Sequence, residues 1–182
     1  GSQVEVDGRV INWMEPRPSL IDSLGHLRLG AITFTADGAG GLAGGLAAPE
    51  GTWVVTTDLE MRLVAPIGVR PVRIVGTEVR TGSTTSVCDL DLFDDATDEV
   101  LGVGSITSHC LTVESPPSTD LWPRGVRLDA GVERMDLPLP LGEYLGLTST
   151  PDHEVDLDVT EQLRNPWGML HGGLIAIGAE EA

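Results

Sequence analysis

The sequence contains no lysine, two cysteines and few aromatic residues. All 11 basic side chains are arginines, against 28 acidic ones, and the net charge is −17. Nucleic acids and anionic membranes are bound by basic surfaces, so this charge balance argues against both as partners. Cys88 and Cys110 do not make a disulfide framework, and we expect two reduced, buried thiols. Nothing in the pattern implies a metal ion or a redox cofactor.

Long apolar runs are also missing from the sequence. No run approaches the ~20 residues of a membrane span, and no signal peptide precedes the first strand-like segment. A length of 182 residues predicts one domain or slightly more. We therefore expect a soluble cytoplasmic protein.

The densest group of candidate functional side chains reads NPWGMLHGGLIAIGAE, near the C-terminal end. Asn165 supplies an amide that orients a carbonyl, His171 an imidazole and Glu180 a carboxylate. Gly172 and Gly173 have no Cβ, so a ligand approaches their backbone closely. A helix that begins there directs unpaired N–H groups and its positive end toward that ligand. The pattern is typical of an acyl-transfer site; a His171 that merely caps a helix is the alternative.

A related segment lies 143 positions earlier in the chain. Between residues 20–36 and 163–179, six of 17 positions are identical, where composition alone gives on the order of one or two. An internal duplication explains this better than chance similarity in a chain rich in Gly, Ala and Leu. The corresponding pairs are Asn165 and Asp22, His171 and Arg28, Gly172 and Leu29, Gly173 and Gly30, and Glu180 and Asp37.

Residues 30–47 form the most glycine-rich part of the chain. Each internal glycine costs a helix about 1 kcal/mol relative to alanine, so propensity alone predicts a loop. A helix with so few side chains is stable only if a sheet wraps it closely. We expect such a wrapped helix here. Its glycines are Gly38, Gly40, Gly41, Gly44 and Gly45.

Alternating or apolar segments follow this helix. They predict four consecutive, hairpin-connected strands, and therefore an antiparallel sheet curled around the helix. A short strand-like segment precedes it. The predicted elements are a short strand-like segment over 4–11 that is turned by Asp7-Gly8, strands over 53–64, 69–80, 84–92 and 100–113, a Pro-rich irregular linker over 114–140, a short helix over 141–147 and a strand over 153–160.

At this point the chain resembles the hotdog-fold acyl-CoA thioesterases of the phenylacetate-pathway type. The resemblance rests on a strand followed by Asn-x5-His-Gly-Gly with a carboxylate nine residues after the His. The run VVTTDLEMRLVAP from Val54 is also similar to that family's first strand after the helix. The resemblance implies an α+β double-hotdog protein, with residues 1–113 as the first repeat, 114–140 as linker and 141–182 as the start of a second, incomplete repeat. It also implies a homo-oligomer, a dimer of double hotdogs.

In that family each active site is built across two hotdog units. One unit supplies the amide, the imidazole and the glycine N–H, which match Asn165, His171 and Gly172. The other supplies a carboxylate and a hydroxyl, which match Asp37 and Thr56. We expect Gly173 to contact the substrate as well.

The reciprocal site matches Asp22, Arg28, Gly30 and Glu180, and it departs from the family's motif. Asp22 replaces the Asn, Arg28 the His, and a leucine stands at the first glycine position. The resemblance therefore implies one competent site for each pair of repeats. Glu180 shares a helix with the His-Gly-Gly segment, but the family geometry assigns it to the degenerate site.

The resemblance implies hydrolysis of acyl-CoA thioesters to free acid and CoA, with coenzyme A entering only as part of the substrate. The carboxylate acts as general base on a water or attacks the thioester directly, and the sequence leaves both routes open. Arg70, Arg73 and Arg80 are candidates for binding the CoA phosphates. Two alternatives stay open: a non-catalytic acyl-CoA-binding hotdog protein, and a hotdog hydratase or dehydratase, whose Gly-Asp-x-Asn-x-x-His or His-Phe-Pro-Gly segments the sequence lacks.

Overall fold

The computed structural model describes residues 1–128, 139, 141–150, 152, 154–165 and 168–182. Short 3₁₀ turns lie at Pro18–Leu20, Thr119–Leu121 and Glu161–Leu163. The helices and strands are β1 (Ser2–Val4), β2 (Val10–Met14), α1 (Leu29–Ala47), β3 (Thr52–Leu63), β4 (Val72–Thr81), β5 (Thr85–Asp94), β6 (Val100–Thr112), β7 (Arg127–Leu128), α2 (Leu141–Leu145), β8 (Thr148–Ser149), β9 (Val155–Asp156) and α3 (Gly172–Glu181).

Seven strands form one antiparallel sheet in the order β3-β6-β5-β4-β2-β1-β7. The antiparallel sheet is as predicted, but four hairpin-connected strands are not: β3 pairs with β6 at the sheet edge and not with β4. The connection after β3 contains two prolines and folds back toward the start of α1, where Leu27 N donates to Ile67 O at 2.7 Å. Its length and anchoring prevent a tight hairpin, and the long β6 pairs with β3 instead.

The glycine-rich segment is the helix α1, which packs on the sheet without room for side chains. A Cβ on Gly44 would lie 2.7 Å from Ser86 Oγ, and one on Gly40 would overlap Ile106. On the sheet side, a Cβ on Gly76 would lie 2.7 Å from the Ala39 carbonyl. Tertiary packing therefore offsets the helix-propensity cost of these glycines.

The core lies between α1 and the sheet. Its largest fully buried side chains come from α1 and the central strands, and include Ile32, Ile74, Leu90, Leu92 and Ile106. Both cysteines are free and buried, as expected. Burial raises the pKa of the Cys88 thiol to about 11. Among the described residues, no helix combines the length and apolar character that crossing a bilayer requires.

The C-terminal region differs from its prediction in two places. The prediction of a strand over 153–160 is wrong. Only Val155–Asp156 is paired as a strand, and its partner is Thr148–Ser149. Residue 153 lies outside the described residues. An isolated hairpin with two residues in each strand has no neighbouring strand to lengthen it. The linker over 114–140 is not wholly irregular, because Arg127–Leu128 pairs with β1 and extends the sheet. Residues 129–138 and 140 lie outside the described residues.

Candidate active site

The turns that precede α1 and α3 have the same hydrogen bonds at corresponding positions. Asp22 N donates to His26 O at 2.8 Å, and Asn165 N donates to Met169 O at 2.7 Å. In return, the side-chain Oδ1 of Asp22 accepts from His26 N at 2.8 Å, and that of Asn165 accepts from Met169 N at 3.0 Å. Asp and Asn both form this turn because each supplies an Oδ1 acceptor.

The helix entries are also alike. Arg28 and His171 precede their helices in the same extended conformation, with φ of −60° and −63° and ψ of 130° at both. Where the helices cross, a Cβ on Gly30 would lie 2.7 Å from the Ile177 Cα, and one on Gly173 would lie 2.6 Å from the Phe34 Cα. These two contacts are equivalent at the same offset, so α1 and α3 pack antiparallel about an approximate twofold axis.

The Asp37 carboxylate lies on α1, opposite the start of α3, and is 6% exposed. Thr56 Oγ1 of β3 donates to its Oδ1 at 2.7 Å, and Gly173 N donates to its Oδ2 at 3.1 Å. Burying a carboxylate is costly unless it is hydrogen-bonded, and bonds to a charged acceptor are the strong ones. The positive end of α3 adds to this stabilisation.

A bulge in β3 turns Thr56 toward α1. The β3–β6 register shifts between Thr56 and Asp58, so the inward-facing positions change from even numbers to odd. Val54 is buried before the shift, and Leu59 packs against the core after it. Strict alternation would have put Thr56 on the same face as Asp58; the bulge re-aims it.

His171 contacts the same carboxylate. Its Nδ1 lies 3.2 Å from Gly173 N and 3.3 Å from Asp37 Oδ2. In the Nε2–H tautomer Nδ1 accepts from Gly173 and caps α3, whereas protonated His171 donates to Asp37. The imidazole also stacks on Phe34, with ring centroids 4.7 Å apart. His171 therefore caps α3 and contacts the candidate carboxylate in the same position, so the two interpretations of this residue are compatible.

Gly172 lies beside the Asp37 carboxylate. A Cβ there would lie 3.1 Å from Asp37 Oδ2 and 3.3 Å from Oδ1, so a side chain would press on the carboxylate. Gly172 is also the first residue of α3. Its N–H has no acceptor within the helix, as at every helix start, and its binding to a ligand oxygen stays a prediction.

A cavity of about 440 Å³ joins these groups, bounded by α1, the start of β3 and the segment leading into α3. Asp37, Thr56, Asn165, His171 and Gly172 all line it. The structure thus brings the five predicted catalytic residues together, while their roles stay predictions. Gly173 takes part through its N–H on Asp37.

Further residues that no sequence motif assigns to a site also line this cavity, among them Trp53, Pro117 and Trp122. Pro117 and Trp122 come from the segment predicted to be a linker. The signal that points to them is a tryptophan in a Pro-rich stretch of a chain whose aromatic content is only 4%.

The start of α1 carries the reciprocal arrangement. Glu180 Oε1 accepts from Leu29 N at 2.7 Å, and its Oε2 accepts from Gly30 N at 2.9 Å. Arg28 Nη1 pairs with Glu181 Oε1 at 2.6 Å and not with Glu180. One carboxylate therefore holds the first two N–H groups of α1, which is the arrangement of a helix cap.

The three predicted phosphate-binding arginines lie elsewhere. Arg70 pairs with Asp94 at 3.2 Å, and Arg73 with Asp98 at 2.6 Å. Arg80 is exposed on β4. None of the three lines the cavity around the predicted carboxylate. Their contact with CoA stays a prediction that this geometry does not support.

No protein-family model matches the chain, and no curated protein matches it. Solved structures do. A thioesterase of Haemophilus influenzae is 21% identical, with 59% of this chain and 74% of that one covered, at a TM-score of 0.55. A mutant of the phenylacetic acid degradation protein PaaI from Thermus thermophilus is 20% identical, with 61% and 91% covered, at 0.54. A hypothetical thioesterase with coenzyme A from Streptococcus pneumoniae is 20% identical, with 63% and 88% covered, at 0.55. At such identities the likeness concerns the fold alone, an antiparallel sheet with a helix of the hotdog type.

Proposed function

We propose that this protein hydrolyses acyl-CoA thioesters. The observation that carries the proposal is the buried Asp37 carboxylate, which is held by Thr56 Oγ1 and Gly173 N in a cavity at the start of a helix. The fold is shared with proteins named thioesterases, one of them with coenzyme A. An acyl-transfer site needs a base, a donor for the oxyanion and space for the acyl group, and we assign these roles to Asp37, the Gly172 N–H and the cavity beside them.

In the proposed reaction the thioester carbonyl lies against the Gly172 N–H. Negative charge develops on the carbonyl oxygen as a nucleophile attacks, and the N–H and the positive end of α3 stabilise it. Removing one such donor from an oxyanion site typically costs about 3 kcal/mol of transition-state stabilisation. The CoA thiolate then leaves.

Asp37 acts as the general base. Thr56 donates its hydroxyl proton to Asp37 Oδ1, which leaves the Thr56 oxygen lone pairs to accept from a water that Asp37 deprotonates. His171 Nδ1 accepts from Gly173 N, which in turn lies against the carboxylate, and Asn165 also lines the cavity. Label from ¹⁸O-water in the Asp37 side chain would indicate direct attack, because water that opens the anhydride at the Asp37 carbonyl leaves its oxygen there, whereas the general-base route leaves Asp37 unlabelled.

We further infer that residues from 141 onward begin a second hotdog unit. The supporting observations are the equivalent turns, helix entries and helix crossing, which all recur at one and the same sequence offset. The two hotdog units then have one active site between them. The carboxylate of the reciprocal site, Glu180, is bound to the first two N–H groups of α1 and caps that helix. A dimer of such double hotdogs and a cytoplasmic location remain predictions.

The test is release of free CoA thiol from a panel of acyl-CoAs, measured with a chromogenic disulfide. Thr56→Val should lower kcat about tenfold, the equivalent of about 1.4 kcal/mol, since Asp37 and the water lose a shared hydrogen-bond partner. Thr56→Ser keeps the hydroxyl and should retain most of the activity. Saturable acyl-CoA binding without thiol release from any member of the panel would support the non-catalytic alternative instead.

A further inference from the structure

The cavity that contains Asp37 extends along α1. Gly38, Gly41 and Leu42 line it on the C-terminal side of the carboxylate. With a rise of 1.5 Å per residue, Leu42 lies about 7.5 Å further along the helix axis than Asp37. The cavity therefore leads from the reacting carboxylate toward the C-terminal end of α1.

Gly41 keeps this passage open. A Cβ on Gly41 would meet no atom within 4 Å, whereas a Cβ on the neighbouring Gly40 would overlap Ile106 of the sheet. Sheet packing therefore accounts for glycine at position 40 but not at position 41. A side chain at position 41 would project into the cavity.

Two tryptophans close the far end. Trp53 lies directly against α1, where a Cβ on Gly45 would be 2.7 Å from its ring. Trp122 stacks on Trp53 with ring centroids 6.1 Å apart and an interplanar angle of 21°. Both line the cavity.

The segment that carries Trp122 is fixed to the opposite edge of the sheet. Arg124 Nη1 donates to Glu5 O at 3.2 Å and to Val6 O at 3.3 Å. Gly125 N donates to Val4 O at 2.6 Å. These backbone contacts hold the tryptophan pair as an end wall.

We propose that the acyl group of the substrate lies along α1 between Asp37 and the Trp53–Trp122 wall, and that Gly41 and Trp122 select short acyl groups of about six carbons. Of the α1 residues that line the cavity, Asp37 and Leu42 lie furthest apart, about 7.5 Å along the helix axis. An extended chain advances about 3.5 Å for every three bonds, so this length accommodates about six bonds. The apolar side chains of Leu42, Trp53 and Trp122 favour a hydrocarbon over a polar group. This inference rests on the proposed thioesterase function.

The first test is the chain-length profile of kcat/KM over acetyl-, butanoyl-, hexanoyl-, octanoyl- and dodecanoyl-CoA. The wild type should peak near hexanoyl-CoA. Trp122→Ala should raise the ratio of dodecanoyl to hexanoyl kcat/KM at least tenfold, and Trp122→Phe much less. Leu121→Ala is the matched control, because Leu121 is 62% exposed on the same segment and does not line the cavity.

The second test places a side chain in the cavity from α1, at position 41. Gly41→Leu should lower the ratio of hexanoyl to acetyl kcat/KM at least tenfold, with Gly41→Ala intermediate. Both substitutions favour the helix, so loss of folding is not expected. Profiles unchanged from wild type in both Trp122→Ala and Gly41→Leu would overturn the inference.

Calorimetric binding of the same acyl-CoAs to the Asp37→Asn variant separates this inference from the reaction. In the Asp37→Asn variant the affinity should rise with chain length up to hexanoyl-CoA. It should continue to rise beyond that length only after Trp122→Ala is added. This result supports the assignment of the acyl site even if the wild type releases no thiol. In that event the proposed hydrolysis alone would be rejected. Affinity independent of chain length in both proteins would reject the acyl assignment.

Discussion

At the start of α3, the carboxylate bound to the helix N–H groups comes from the buried middle of α1; at the start of α1, the corresponding carboxylate belongs to the exposed last turn of α3. Asp37 is 6% exposed and also accepts from Thr56. Glu180 is exposed and holds two adjacent N–H groups. The backbone of the turns and helix entries is nearly the same at the two helix starts. Burial and a side-chain hydroxyl donor therefore distinguish a candidate base from a helix cap.

The largest expected effect is a difference between the two carboxylates in activity. Asp37→Asn should lower kcat about a thousandfold, since general-base catalysis contributes typically 10²–10⁴-fold. Glu180→Gln should leave kcat within about twofold, because the proposed reaction takes place at the other helix start. Steady-state thiol release measures both. Equal losses in the two variants would mean that both halves are active sites.

Substitution of either glycine at the crossing of α1 and α3 should lower the stability of the protein by a similar amount. Gly30→Ala and Gly173→Ala each place a Cβ within 2.7 Å of backbone on the other helix, so the helices must separate. Each substitution should lower the free energy of unfolding by about 1–3 kcal/mol, measured by urea denaturation. Gly41→Ala serves as control and should not destabilise, because its Cβ meets no atom. A loss at only one of the two crossing glycines would show that the crossing is asymmetric.

A smaller effect is expected from the first helical position of each half. Gly172→Ala brings a Cβ to 3.1 Å from Asp37 Oδ2 and should lower kcat about tenfold, equivalent to about 1.4 kcal/mol. The equivalent substitution, Leu29→Ala, truncates a side chain that is 47% exposed and should leave kcat unchanged. Circular dichroism checks that both variants are folded. Full activity of Gly172→Ala would show that the reaction does not require a residue without a side chain beside the Asp37 carboxylate.

The smallest expected effect concerns the turns before the helices, where Asp22 titrates and its counterpart Asn165 does not. The backbone N–H of His26 lowers the pKa of Asp22 below its ordinary value of 3.8. The ionised form is thus favoured in the folded state, so Asp22 stabilises the protein above pH 3.8, and this contribution is lost as the pH falls through the lowered pKa.

Asp22→Asn should therefore reduce stability slightly at pH 6 and not at the acid end of the range. Thermal unfolding from pH 6 to pH 2.5 measures the difference between the two proteins. A difference that stays constant across this range would show that ionisation of Asp22 does not contribute.

Local patterns predicted those parts of the fold that local patterns control. Alternating or apolar segments predicted strands at β3 to β6. The helix α1 was predicted only together with a sheet that wraps it, because propensity alone predicts a loop there. The pairing of β3 was not predictable in this way, because its partner β6 follows only after β4 and β5 in the chain, and because it depends on the anchoring of Ile67. The strand over 153–160 failed because alternation does not supply the neighbouring strand that a paired segment needs.

For the candidate site, the sequence pattern and the family resemblance identified the carboxylate, the hydroxyl and the helix-start groups. They did not identify Trp122, since its part in the cavity depends on a segment that crosses to the opposite edge of the sheet. The inward direction of Thr56 likewise depends on the bulge in β3. Strict alternation with Leu59 and the later residues of the strand would have turned Thr56 outward.

By itself, the sequence determined that the chain carries two similar helix entries and that only one retains the Asn, His and Gly-Gly groups. Which carboxylate meets which helix start was decided only by the tertiary structure. Asp37 reaches Gly173 because α1 and α3 cross antiparallel, with glycine at both points of contact. Such a crossing depends on the absence of side chains at two positions that lie near opposite ends of the chain, and local sequence patterns carry no information about contact over such a separation.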